Sequence, residues 1–130
     1  MVGKLKDDRY TWGGQSFSMS GHGVVRRRKF QVTELGEDHV MLQFDADSTS
    51  LAAFPFPFTL QVEFVLSGTL LKVDYRVSHT GTEVMPFTLG SHPVFSLDPK
   101  LEAMTTTMSN FRVASVWTSI PSMDRCSATP

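Results

Sequence analysis

The chain carries a single cysteine, Cys126, in 130 residues. One thiol closes no internal disulfide and leaves a zinc site without partners. A reducing, cytoplasmic setting is therefore the expectation. No apolar run approaches the ~20 residues of a membrane span. The N-terminal "MVGKLKDDRY" lacks the apolar h-region of a secretory signal. Net charge is nearly absent: 12 Lys and Arg against 13 Asp and Glu give −1, which exerts no general pull toward nucleic acid or an anionic membrane. HExxH, GxSxG, CxxC and a phosphate-cradling glycine loop followed by Lys are all missing. These absences remove several enzyme templates and give no reason to expect a metal or a cofactor. They leave room for an enzyme whose site is assembled from distant strands.

What is present is β pattern. A chain of this length fits one domain that buries about two-thirds of its unfolded surface. "YTWGGQSFSM" sets a Gly-Gly turn signal between two strand-like pieces. "KFQVTE" and "VMLQFDA" place Phe30 and Val32, then Val40, Leu42 and Phe44, on one face, with "LGEDH" turning between them. "TLQVEFVL" puts Leu60, Val62, Phe64 and Leu66 on one side, and "LLKVDYRVSH" does the same with Leu71, Val73, Tyr75 and Val77. Period-two alternation of this kind predicts half-buried antiparallel strands. Hairpins are expected near 35–39, 67–69 and 79–82, the last leading into "VMPFTLGSHPVF". Only "DSTSLAAF" is briefly helical, capped by Asp47 or Ser48, before Pro55 and Pro57 force an extended passage. The fold class read from the residues is all-β and sandwich-like. From about Pro99 the text turns rich in Ser, Thr and Met without sustained period, and one short element around Val113, Val116 and Trp117 is the most it suggests.

The chemistry turns on four histidines. His39 and His79 fall in the turns "GEDHV" and "VSHTGT" and read as solvated loop residues. His22 in "SGHGVV" and His92 in "LGSHPVF" each follow a small residue at the end of a strand-like run, where a ligand can approach the backbone closely. An imidazole near neutral pH donates, accepts or transfers a proton. Taken singly, either histidine is better read as a packed residue with no chemistry. Beside His22 runs Arg26, Arg27, Arg28 and Lys29. In a strand these alternate between faces. One reading is a solvated edge strand guarded by positive charge; the other is that one arginine binds sugar hydroxyls or a phosphate through its fork of donors.

Two ordered segments resemble the aldose 1-epimerase (galactose mutarotase-like) family, in its bacterial branch of LacX and hexose-6-phosphate mutarotases. They are "VGKLKDDRYTWGGQSFSMSGHGVVRRRKFQV" and "FPFPFTLQVEFVLSGTLLKVDYRVSHTGTEVMPFTLGSHPVFSL". The resemblance runs from about Val2 to Leu97. It implies an antiparallel β-sandwich (galactose mutarotase-like supersandwich), incomplete here, with a sugar cleft on one sheet. It implies isomerisation of a hexose or hexose phosphate without metal or nucleotide. His92 matches the general acid at the ring oxygen, His22 a sugar-holding histidine, and Arg26 the arginine of the family's HGFAR motif. Lys4 stands where the family's VGRL arginine binds substrate, and so loses bidentate geometry.

The same resemblance predicts a partial mutarotase domain over 1–98 and a family-unlike, poorly structured tail over 99–130. Strands that precede VGRL in the family and its general-base glutamate have no counterpart, so catalysis is expected to be impaired and sheet edges left available for self-association. Glu63, Glu83, Asp98 and Glu102 are the acids downstream, and no motif favours any of them. The competing readings are a non-catalytic carbohydrate-binding β module and a truncated gene product with no function of its own.

Overall fold

In the computed structural model, residues 3–92 and 117–119 are described. They form a hairpin and one five-stranded sheet. In the hairpin, β1 (Arg9–Trp12) pairs antiparallel with β2 (Gln15–Ser18). Gly13 and Gly14 form its two-residue loop at φ 55° and 79°, the double left-handed geometry that makes such a turn favour glycine. The sheet contains β3 (Gln31–Leu35), β4 (His39–Asp45), β5 (Phe58–Ser67), β6 (Leu70–His79) and β7 (Trp117–Ser119), in that spatial order. All pairings are antiparallel except β6–β7, which is parallel. The hairpins expected near 35–39 and 67–69 are those joining β3 to β4 and β5 to β6. The one α-helix among the described residues, α1 (Ser48–Ala53), opens on Asp47, whose carboxylate accepts from the Ser50 amide at 2.7 Å while Ser50 Oγ accepts from the Asp47 amide at 2.8 Å. This reciprocal cap satisfies two donors that a helix start leaves open.

The register sorts side chains by face as the alternation requires. Leu60 lies opposite Phe44 and Val77, and Val62 opposite Leu42 and Tyr75. Phe44, Phe58, Leu60, Val62 and Val77 form the buried core. The other face is polar and laced together. Thr59 Oγ1 donates to Asp45 at 2.6 Å, Gln61 to Gln43 at 3.0 Å and Arg76 to Gln61 at 3.4 Å. Burial on the apolar face is uneven: Leu60 is 4% exposed, but Leu66, six residues along the same strand, is 52% exposed. Every residue of β3, the edge strand, is exposed.

Three expectations are corrected. No hairpin forms at 79–82, because 84–92 takes no ladder pairing. That segment nonetheless alternates, with Met85, Phe87 and Leu89 packed against the core and Val84, Pro86 and Thr88 exposed. It lies across the apolar face rather than beside β6, and Pro86 has no N–H to offer a ladder. Nor are His39 and His79 loop residues. His39 opens β4 half-buried, and His79 closes β6 with its ring edge against Phe56 at 6.3 Å. The run Arg26–Lys29 is not a strand, for reasons seen at the site below. The boundary proposed at 98/99, and all of the tail except β7, lie outside the described residues.

Candidate functional site

A cavity of about 380 Å³ opens on the apolar face of the sheet. Its floor is Phe58, Leu60 and Val77; the hairpin contributes Tyr10 and Trp12, the passage after α1 contributes Phe54 and Phe56, and the overlying segment contributes Met85 to Leu89. The hairpin is held there by Tyr10, whose hydroxyl donates to the Ala53 carbonyl at 2.9 Å, and by Trp12, edge-on to Phe56 at 5.5 Å. Burial raises the Tyr10 phenol above its ordinary pKa, so it stays neutral. Aromatic walls of this kind suit the C–H faces of a sugar ring as well as any apolar ligand.

His22 lines this cavity, and the local sequence explains how. Ser20, Gly21, His22 and Gly23 form a turn in which the Gly23 amide donates to the Ser20 carbonyl at 3.1 Å. His22 and Gly23 sit at φ 70° and 80°, a left-handed region uncommon for any residue but glycine, although histidine enters it more readily than most. Gly3 holds His22 there: its carbonyl accepts the His22 amide at 2.7 Å, and its own amide donates to His22 Nδ1 at 3.4 Å. A neutral imidazole whose Nδ1 accepts must carry its proton on Nε2. His22 is thereby a donor on its free edge.

The turn also disposes of the basic run. After Gly23 the chain curls, and Arg28 Nε donates back to the Val24 carbonyl at 3.3 Å while its Nη1 lies 3.6 Å from the Asp47 carboxylate. Face alternation therefore does not apply to these four residues. Arg28 ties the turn to the α1 cap. Arg26 and Arg27 are exposed, and Arg26 is not among the cavity-lining residues. Lys4 is also outside the lining, exposed and 3.4 Å from Asp8. His92 is exposed, three residues past the last lining residue, Leu89. Its neighbour Ser91 accepts a hydrogen bond from Tyr75 at 2.9 Å. Tyr75 stands opposite Val62 on the apolar face, so the segment leading to His92 is anchored on the side of the sheet that His22 occupies.

Tyr10, Trp12 and Phe56 were not marked as site residues by the sequence. The signal available was the aromatics that flank the Gly-Gly turn and a Phe-Pro-Phe passage, both of which fit plain packing equally well.

The family model for aldose 1-epimerase matches residues 3–122. This chain belongs to the aldose 1-epimerase family. The LacX proteins of Lactococcus lactis subsp. lactis, plasmid and chromosomal, are each 30% identical over 76 residues, 58% of this chain and 25% of theirs. Among solved structures, a galactose mutarotase-like protein from Lactobacillus casei ATCC 334 is 32% identical at a TM-score of 0.64, covering 66% of this chain and 29% of that one. A galactose mutarotase related enzyme from Lactobacillus acidophilus is 27% identical, also at 0.64, over 65% and 28%. The chain thus spans about a quarter of the length of the curated relatives it matches. The family's all-β fold accords with the sheet described here, and the match extends beyond Pro99. No described helix is long and apolar enough to cross a membrane.

Proposed function

We propose that this chain holds a hexose, free or phosphorylated, in the cavity beneath residues 85–89 and serves aldose 1-epimerase chemistry there. The observation that carries the reading is His22, which lines an aromatic-walled cavity while its backbone and ring are both tied to Gly3. Nε2–H of His22 donates to a sugar oxygen. His92, on the segment that runs over the same face, is the acid: its protonated ring gives a proton to the ring oxygen as a base takes the one on the anomeric hydroxyl. The C1–O5 bond then breaks to the open aldehyde, C1–C2 rotates, and reversal closes the other anomer. General acid and base groups contribute about 10²–10⁴-fold each when positioned. Lys4 and Arg26 serve substrate oxygens, including a phosphate where one is present. The Lys4–Asp8 pair is exposed and worth about 0–1 kcal/mol, so an anionic ligand can draw Lys4 away.

A second reading is binding without turnover. It is favoured by the absence of any carboxylate among the described residues lining the cavity. An acid alone cannot complete a step in which donor and acceptor act together. Polarimetric decay of freshly dissolved α-D-galactose or α-D-glucose separates the two. We expect the 130-residue chain to accelerate decay little above water, and a His92→Ala variant to match it. Family-like turnover abolished in the variant would establish catalysis and require another residue as base. Bound sugar with background decay would establish the binding module.

A further inference from the structure

We infer that Gly3 is a positioning residue that fixes the tautomer of His22, making that histidine an obligate Nε2–H donor toward the cavity. The inference rests on the reading that the cavity takes a sugar, but its primary readout does not need one. Gly3 and His22 form a two-point clamp: amide to carbonyl at 2.7 Å and amide to Nδ1 at 3.4 Å. The second contact is the longer and weaker, and the first holds the peptides in register for it. The clamp exists only because both backbones take left-handed values, His22 at φ 70° and Gly3 at φ 131°. Nothing lies within 4 Å of where a Cβ on Gly3 would point. Crowding therefore does not select glycine at this position. The dihedral does, because an L residue rarely adopts it.

The consequence is a division of the imidazole. Nδ1 faces Gly3, which is not a lining residue, whereas His22 is, so the Nε2 edge of the ring is the one left for a ligand. A sugar hydroxyl or ring oxygen meets a donor of fixed identity, without the cost of choosing a tautomer on binding. Protonating the clamped Nδ1 would break the clamp, so His22 orients the sugar ring and His92 is left to move protons.

The test is long-range ¹⁵N–¹H correlation of the imidazole in the full chain, near pH 8.5, about two units above the ordinary imidazole pKa. Nδ1 should appear as a pyridine-type and Nε2 as a pyrrole-type nitrogen. Gly3→Ala should give a mixture of tautomers, because the strained peptide rotates out of the clamp. Gly3→D-Ala, introduced by peptide ligation, favours positive φ and should restore the single tautomer. A wild-type Nδ1–H form, or Gly3→Ala with the wild-type pattern, would overturn the proposal. Sugar titration supplies the second arm. His22→Gln keeps an N–H near the Nε2 position and should bind hexose within about threefold of wild type, while His22→Asn should bind roughly tenfold more weakly, the scale of one hydrogen bond. Asn is the better residue for a left-handed backbone, so a purely conformational role would reverse that order and refute the donor role. If wild-type chain binds no hexose, the functional reading fails, and the tautomer pattern alone decides this inference.

Discussion

Replacing Phe58 by Ala probes where this fold keeps its stability. Phe58 is 7% exposed and lies between Phe44 and Phe54, with ring centroids at 6.0 and 5.9 Å. Truncating a buried phenylalanine costs about 3–5 kcal/mol, and each lost aromatic pair accounts for about 0.5–1.5 kcal/mol of that kind of loss. Phe58 also floors the cavity, so the new space joins an existing opening and water can enter it. That places the expected loss near the low end, about 3 kcal/mol. Leu66→Ala is the control on the same strand. With Leu66 52% exposed, its truncation should fall within about 0.5 kcal/mol of wild type. Urea unfolding, followed by far-UV circular dichroism with m-values compared, measures both. Equal losses at the two positions would refute the reasoning, because they would mean that the apolar face is covered at the β5–β6 turn as well as at the cavity end.

Ser50→Ala should cost about 1–2 kcal/mol: Ser50 is fully buried, and its hydroxyl accepts from the Asp47 amide and donates to the Asp47 carbonyl. Thermal melts of the variant check this, and an unchanged midpoint would show that the cap contributes little. The Asp45 carboxyl is held below its usual range by hydrogen bonds from Thr59 and then Gln43. A depressed folded pKa stabilises fully above the unfolded value near 3.9, and that contribution is lost as pH falls through the folded pKa. The stability advantage of wild type over Asp45→Asn should therefore be present at pH 6 and shrink as pH drops below about 4. A gap that widens on acidification would contradict the assignment.

Much of the sheet was legible because alternation and register are the same constraint seen twice. Leu60, Val62 and Phe64 share a face in the text, and the ladder sets them against Phe44, Leu42 and Val40. The Gly13–Gly14 turn and the Asp47 cap were legible for local reasons, since each needs only its own few residues. The basic run was misread as extended because local bonds such as Arg28 to the Val24 carbonyl are only part of what holds it curled. Gly3 pins His22 at positive φ from 19 residues away, and Asp47 receives Arg28 from a different element. Pairing of β6 with β7 joins residues about 40 apart in the chain, too far for a local signal to announce it. Segment 84–92 kept its alternation and lost its ladder, which shows that period-two burial reports a face and says nothing about a partner. At the site, family resemblance pointed to His22, while Tyr10 and Trp12 carried no signal beyond aromaticity.

The most direct test of the account is a ¹H–¹⁵N correlation spectrum of the labelled chain titrated with galactose. The account predicts shifts concentrated at the amides of Gly3, His22, Gly23, Met85, Phe87, Thr88 and Leu89, together with the Trp12 indole, and a saturable curve. Shifts confined to the opposite face, at Gln43, Gln61 and Arg76, or no shifts at the highest soluble sugar concentration, would contradict it.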